Sequence, residues 1–501
     1  MLRSRLLVET RAAIADTVRG KDGTGFLNTA LLLKGLLLLL GLGLGVFLAW
    51  SIVGEQWALV IGLLLFVPAL ILFNTYPFAA IIIWIMFMPF LQTTSNPGYR
   101  QTYYIVHRAL PLVALGLAVL AKMLKVAKNR QPLRLGWADL AIALYLGLAL
   151  VNILYFQPTP LPDLYLFYDQ LFVPICLYFF VRVVAPSEQD IKRLMPIALI
   201  LVLVEVTVGI LSWFAPQMLP PEWLTAEGSR TIGTLHYPHA YTTTLVFFCL
   251  LLFQNAMHRK PGLVRSILLF TTGFGAVGVF LSFSRGSWLG GLAAAIGLLF
   301  MYPKVTVRLT VILLIVMSIL GSGVLSKQMI FAQERMNSED TANDRWVIWD
   351  AGLQMIEAKP LFGWGYETYT LYAWQFQRRV NNYVAANPHA SHNSYIAIAA
   401  ELGLPGFFLF AFPVLWWLTL TLKVWPRLPK EGFWSRSLLI VFWMVILDHV
   451  VVCFFSDMSN STIGMGMWWM TLGLIATMVD TYRQPADMRL PTWARRASQA
   501  T

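Results

Sequence analysis

The sequence predicts an all-α integral membrane protein that crosses the bilayer about twelve to fourteen times. Three observations carry this prediction. The chain has 501 residues, of which 58% are apolar and only 12% charged, about half the charged share of a soluble domain. Apolar runs of span length recur along nearly the whole chain, giving a mean hydropathy of +0.65. The basic residues sit between those runs. Together these exclude a cytosolic enzyme, a disordered chain and a disulfide-stapled secreted module. The net charge of +12 would suggest nucleic acid in a soluble protein. Here membrane topology accounts for it, and no nucleic-acid partner is expected. Cys176, Cys249 and Cys453 lie inside apolar stretches without metal or thiol-pair spacing, as small buried hydrophobes do. No cleavable signal is expected, because the first apolar run follows a polar, basic segment and is long enough to remain as an anchor.

A helical span needs about 20 mostly apolar residues. After a basic N-terminal segment, 1–34, that rule marks 35–54, 57–73, 77–91, 105–121, 137–156, 165–181 and 194–214 as the N-terminal transmembrane region. A second region, 215–481, holds spans at 238–257, 266–283, 287–302, 309–325, 393–420, 437–455 and 462–481. A basic tail, 482–501, follows and serves as an orientation anchor. With the N-terminus placed inside and the spans alternating, 27 of the 37 Lys and Arg residues fall on the inner side. That is the positive-inside bias, and it puts both termini in the cytoplasm.

Two outer connections are longer than the rest: 215–236, and 326–391 with its mixture of charges, Trp, Gly and Asn. Within the second, 343–358 has helical apolar spacing at Trp346, Ile348, Trp349, Leu353 and Ile356, which predicts a helix at or near the membrane surface.

Polar groups in or beside spans are costly and call for an explanation. Arg230, Arg285, Arg345 and His392 all fall at the outer side, although His392 took no part in setting the topology. Arg285 sits between Ser284 and Gly286 in a tight turn between apolar runs. A snorkelling arginine at a helix end is the plain reading, but such residues belong mostly on the inner side. The functional reading is an anion clamp, since guanidinium offers a planar fork of donors suited to phosphate. Arg230, beside Gly228, Ser229 and Gly233, and Arg345, near Asp344 and Asp350, read either as loop charges or as further anion contacts. His392 opens a span, where the helix dipole disfavours imidazolium and keeps the ring ready to accept a proton. Glu401, nine residues on, falls on the opposite face and cannot orient it directly. Gly403 and Gly406 are expected to permit close helix packing.

The pairs His236/His239 and His389/His392 have an H-x-x-H spacing, but Pro238 interrupts the first and the second lacks an HExxH pattern, so no metal is assigned. Glu205, near mid-membrane, reads as a structural acid or a proton-coupling one. Asp448 and His449 are adjacent and should point to different faces. Asp169 should lie near the outer end, within reach of one of its arginines.

These residues resemble a known family. Arg285-Gly-Ser-Trp-Leu289 fits the R-x3-L pattern of the O-antigen ligase superfamily. His392-Asn393, nine residues and then Gly403-Leu-Pro-Gly406 fits its H-[NSQ]-x9-G-x2-G pattern in full. The segments from Arg345 through Pro360-Leu-Phe-Gly-Trp-Gly365 and around Arg230-Thr-Ile-Gly and Tyr237-Pro-His239 also resemble it, so the likeness covers about 210–480. The superfamily comprises lipopolysaccharide O-antigen ligases, Wzy-type polysaccharide polymerases and protein O-oligosaccharyltransferases. The resemblance implies a GT-C-like fold with a long periplasmic loop in the bacterial inner membrane. It implies metal-independent transfer of a glycan from undecaprenyl diphosphate to an acceptor hydroxyl, with no cofactor. The acceptor would be lipid A-core or another glycan, with a chain-length co-polymerase as a further partner.

On that basis His392 is expected to act as general base and Arg285 to steady the leaving diphosphate, with Arg230, Arg345 and Asn393 contacting diphosphate or glycan. The loop aromatics Trp364, Tyr366, Tyr369, Tyr372 and Trp374 suit either stacking on sugars or packing on the bilayer. Two other classes remain: a transporter of a small anion or lipid-linked sugar, using Arg285 and Glu205, and a peptidoglycan polymerase relying on Asp340, Asp344 or Asp350. Unbroken spans without inverted repeats count against the first, and the His392 motif against the second.

Overall fold

The computed structural model describes residues 68, 71–73, 75–91, 97–124, 133–156, 160–225, 230–321, 323, 325–337, 340–377, 391–459 and 461–484. The predicted span at 35–54, nearly all of that at 57–73, His389 and most of the basic tail lie outside these residues. The chain divides into two units, Met1–Thr75 and Tyr76–Thr501, and the helices below belong to the second.

Among the described residues all regular structure is helical. The helices are α1 (Ala79–Leu91), α2 (Arg100–Met123), α3 (Trp137–Phe156), α4 (Pro160–Val184), α5 (Met195–Phe214), α6 (Pro238–Met257), α7 (Leu263–Leu281), α8 (Arg285–Met301), α9 (Pro303–Gly321), α10 (Ser326–Asn337), α11 (Asp340–Ala358), α12 (Ser394–Val424), α13 (Arg436–Cys453) and α14 (Thr462–Tyr482). Nine helices here are long and apolar enough to cross a membrane. The protein is a polytopic membrane protein. Each span predicted from 77 onward coincides with a helix. The helix predicted at 343–358 is α11, which starts earlier, at Asp340.

Helix burial follows composition. α14 is apolar all round, and its span window is buried throughout, as a helix without a polar face must be. It lies against α4 through Gly473, where an added Cβ would stand 2.9 Å from the Tyr178 carbonyl oxygen. Small residues let helix backbones approach where no water drives them together. The same helices share a buried ion network. Arg182 of α4 donates to Asp139 of α3, to Asp480 of α14 at 2.6 Å and to the Arg134 carbonyl at 2.7 Å. Its guanidinium also lies 5.0 Å from the Trp417 ring of α12. A buried charge is tolerable only when paired and hydrogen-bonded in this way.

α2 and α4 each contain a π-helical turn, Tyr104–Ala109 and Phe167–Phe172. Between the two turns Arg108 makes a bidentate pair with Asp169, at 2.6 and 2.5 Å. Asp169 thus pairs with an arginine outside the set anticipated for it. Its own carbonyl oxygen lies 2.9 Å from the His107 ring.

The segment after α10 is a small packed layer rather than an open loop. α11 buries Val347, Ile348 and Met355 against Tyr369, Ala373 and Ala400. Trp346 and Leu353, expected on its apolar face, are exposed, because the buried face is set by the close approach of Gly352 to Ile396. Of the loop aromatics, Tyr366 and Tyr369 are buried, and Trp364 donates to the Met355 carbonyl at 2.9 Å and packs on Tyr372 and Phe376. Trp374 is exposed. Most of these rings therefore form the layer's own core, an outcome distinct from both sequence readings.

α12 breaks at Gly403, where φ is 71° and ψ 178°. The carbonyls of Ala400 and Glu401 lose their helical partners there and accept from Trp364 N–H and Gly365 N–H at 2.9 and 3.1 Å. Leu404 N–H donates to Pro360 at 2.8 Å. Gly403 thus permits a strand-like docking of 360–365 on the broken helix, where helix-on-helix packing had been expected. A Cβ at 403 would stand 2.5 Å from the Leu361 carbonyl oxygen and in left-handed backbone, a conformation that costs a non-glycine residue roughly 1–2 kcal/mol before any clash. Gly403→Ala is expected to lower the unfolding temperature of the purified protein well beyond Gly147→Ala, whose added Cβ meets nothing within 4 Å; equal melting curves would refute the docking argument.

Candidate functional site

The site is built around the N-terminus of α12. Asn393 caps the helix, its Oδ1 accepting from Tyr395 N–H and Ile396 N–H at 2.9 and 3.1 Å. Asn is among the residues that cap best, since a short side-chain acceptor satisfies the first free N–H groups. His392, immediately before the cap, has φ 47°. That left-handed backbone is uncommon for a residue other than glycine and clusters at functional sites. The imidazole is exposed while its flanks, Ser391 and Asn393, are buried.

The loop between α13 and α14 holds this turn in place. Ser391 Oγ donates to Asp457 Oδ2 at 2.8 Å. Ser459 donates to Asp457 Oδ1 through both N–H, at 3.1 Å, and Oγ, at 2.5 Å. Ser394 Oγ donates to the Ser456 carbonyl at 3.0 Å and accepts from Met458 N–H at 2.8 Å. Asp457 is therefore fixed beside the histidine turn with its lone pairs engaged.

The predicted cations converge here to different degrees. Arg345 of α11 and Arg230 both act electrostatically on His392, as do Asp457 and Asp344. The Arg345 guanidinium carbon lies 5.6 Å from the centre of the Phe455 ring. Arg285 is the first residue of α8, behind the Ser284 cap and the left-handed Phe283. The next residue, Gly286, has room for no side chain, because a Cβ would stand 2.5 Å from Phe455 Cβ. Gly286, next to Arg285, and Arg345 thus approach the same phenylalanine. Arg230 is held through its backbone, whose carbonyl accepts from Thr225 Oγ1 at 3.2 Å. The adjoining turn is anchored on Glu205, which accepts from Thr234 N–H at 2.9 Å and Thr234 Oγ1 at 2.5 Å. Glu205 is a hydrogen-bonded structural acid in this arrangement.

Partial desolvation of a ring that still meets solvent, together with the Arg345 charge, holds the His392 imidazole below its ordinary pKa, with Asp457 opposing them. Both dominant effects disfavour the cation. The ring is accordingly neutral at pH 7 and able to accept a proton. Glu367, also at positive φ, is pushed the other way by burial and by Asp457 and Asp163.

Sequence reasoning missed two neighbours of His392. Asp457 follows α13 in a short connection that the same charge-bias topology places on the His392 side, and that was the available signal. His239, considered only as a metal ligand, lies in the first turn of α6, stacks on Tyr237 at 5.1 Å and lies within electrostatic reach of His392. No partner for its Nε2 occurs among the described residues. Asp448 and His449 are less separate than adjacency suggested, with Asp448 Oδ2 3.9 Å from His449 Nδ1. They are buried in α13, where the ring bonds the Val445 carbonyl. Among the described residues, no three His, Cys, Asp or Glu side chains converge as a metal site requires.

A helix bundle with spans of membrane length and a polar cluster around His392 defines the broad class, a polytopic membrane protein. Residues 270–411 match the family model described as O-antigen ligase, so this stretch of the polytopic chain is similar to that family. The matched stretch includes Arg285, Arg345, His392, Asn393 and Gly403. Arg230 and Asp457 lie outside it. No curated protein matches the chain.

Because Asn393 caps α12, Asn393→Ala should cost about 1 kcal/mol of stability, and Asn393→Ser should recover most of it. Thermal unfolding in detergent measures both, and an unchanged midpoint in the alanine variant would deny the cap its role.

Proposed function

We propose that the protein transfers a glycan from undecaprenyl diphosphate to an acceptor hydroxyl at the periplasmic face, as an O-antigen ligase or a Wzy-type polymerase. The observation that carries this reading is the neutral His392, fixed beside Asp457 and within the field of Arg345 and Arg230. The family match supports the general class of glycan transfer.

His392 takes the proton of the acceptor hydroxyl as its oxygen forms a bond to the anomeric carbon. The bond from that carbon to the phosphate oxygen breaks, and the diphosphate leaves with the electron pair. Arg285, Arg345 and Arg230 stabilise the charge that develops on it, the task for which preorganised cationic donors are effective. The proton on His392 then passes to solvent or to the departing diphosphate, restoring the base. Asp457 steadies the imidazolium during the interval. The bound diphosphate occupies the arginines, and the layer of α11 and 360–376 covers α12 on the glycan side. The two hydrogen bonds from Thr234 to Glu205 support the structural reading of this acid over the proton-coupling role that the transporter alternative gives it.

The test is a transfer assay on purified protein with undecaprenyl-diphosphate glycan, in chelator, offering lipid A-core or no second acceptor. Product requiring lipid A-core would identify a ligase, and a ladder from donor alone a polymerase. No product under any condition would overturn the reading and direct the work to a flux assay.

In that assay His392→Ala should lose about 10²–10⁴-fold in rate, the usual share of a general base, at unchanged expression and folding. The kcat/KM profile should fall on the acid side below the ordinary histidine pKa of about 6.5, since only the neutral ring acts as base. Arg345→Ala removes a charge that depresses the His392 pKa, so its acid limb should move to higher pH. Asp457→Asn removes a charge that raises it, so the limb should move lower. Limbs that stay fixed in both variants would separate His392 from catalysis.

Arg285→Ala should bind the lipid-linked donor more weakly and turn it over more slowly. Arg285→Lys should recover binding better than rate, because ammonium supplies charge without the planar fork. Wild-type binding and rate in Arg285→Ala would remove the clamp.

A further inference from the structure

A second concave site lies where α6 ends and α7 begins, at the opposite end of α6 from His239. The helix has 20 residues, so about 30 Å separates the two ends at 1.5 Å per residue. The cavity, about 570 Å³, is lined by Lys192, Asn255, His258, Arg259 and Lys260, with Leu263 and Val264 at its rim.

Several features give it a ligand chemistry. The cationic and basic side chains come from two places in the sequence, the short helix Glu188–Arg193 and the α6–α7 turn, so their convergence is a product of the fold. Lys192 is held in place by Glu188 at 2.5 Å and by the Phe433 ring, 5.1 Å from its Nζ to the centroid. His258 is oriented by its Nδ1 contact with the Gln254 carbonyl at 2.9 Å, which leaves Nε2 for the cavity. Asn255 is only 3% exposed and lines the cavity. Around these polar groups, Leu263 is 77% and Val264 53% exposed, so apolar surface adjoins the basic cavity. Gly262, which precedes α7, supplies no side-chain cap, and the first N–H groups of that helix add donors at the rim.

We propose that this cavity binds the phosphate headgroup of an anionic membrane lipid, with Arg259, Lys260 and Lys192 neutralising the phosphate, Asn255 donating to it from the floor, and Leu263 and Val264 contacting the acyl chains. A basic cavity between membrane helices with an apolar rim is the arrangement that recognises anionic headgroups. Free phosphate shares the charge chemistry and lacks the chains, so the rim residues distinguish the two sources. The site stands apart from the glycan-transfer reading and does not depend on it.

The full-length protein in detergent would be examined by native mass spectrometry with phosphatidylglycerol, with phosphatidylcholine, and with inorganic phosphate as competitor. Phosphatidylglycerol should be retained in preference to phosphatidylcholine. The double variant Arg259→Glu/Lys260→Glu, at exposed positions, should weaken that retention at least tenfold with an unchanged melting curve, and Leu263→Ser should weaken it for the lipid alone. Equal retention of both lipids, or undiminished phosphatidylglycerol binding in the double variant, overturns the proposal. Displacement of the lipid by inorganic phosphate at comparable concentration overturns the assignment to a lipid.

Discussion

A helix inside a membrane protein cannot leave its backbone groups unpaired, and the break at Gly403 is where that constraint organises this molecule. When α12 stops being helical, the carbonyls of Ala400 and Glu401 must find donors. Trp364 and Gly365 provide them. The layer between α10 and α12 is thereby tied to the helix that carries His392. Tyr369, whose hydroxyl donates to the Ile348 carbonyl at 2.7 Å, links the same layer to α11 and hence to Arg345. A backbone requirement at one glycine therefore ties the layer that carries Arg345 to the helix that begins beside His392.

The electrostatics of that end follow from the same placement. A histidine next to arginines is unfavourable as a cation, and the fold engages the acid Asp457 with other donors: it is held by Ser391 and Ser459. Its charge is present without direct capture of the imidazole. The left-handed backbone at His392 projects the ring away from the buried cap, so the base remains accessible while its supports do not move.

Much of this was legible in the sequence. The helix positions followed from apolar run length. His392, Arg285 and Arg345 stood out because polar residues at span ends are costly and because their spacing matches a known motif. What remained hidden depends on contacts between distant segments. Asp457 lies 66 residues from its partner Ser391, and nothing local marks it. His239 looked like half of a weak metal motif, since stacking on Tyr237 and proximity to His392 are tertiary facts. Asn393 reads as a substrate contact in a motif, and the fold gives its side-chain oxygen a capping role that the motif does not show. The aromatic residues at 364–372 presented two surfaces as alternatives, and the packed layer beneath them was visible to neither, because its core includes α11 residues one face away from those the spacing favoured.

The ion network around Arg182 has a consequence for how the protein is made. Arg182 meets Asp139 within the first helices to leave the ribosome, but its second acid, Asp480, is 298 residues later. Throughout synthesis of the intervening helices the guanidinium has a single carboxylate and an incomplete apolar wall. Insertion of α14 supplies both Asp480 and the Gly473 surface against Tyr178 at once. The arrival of α14 is thus registered at a charge laid down 298 residues earlier, and a chain interrupted before α14 would expose an under-neutralised arginine among its helices, a polar defect that is costly in a bilayer.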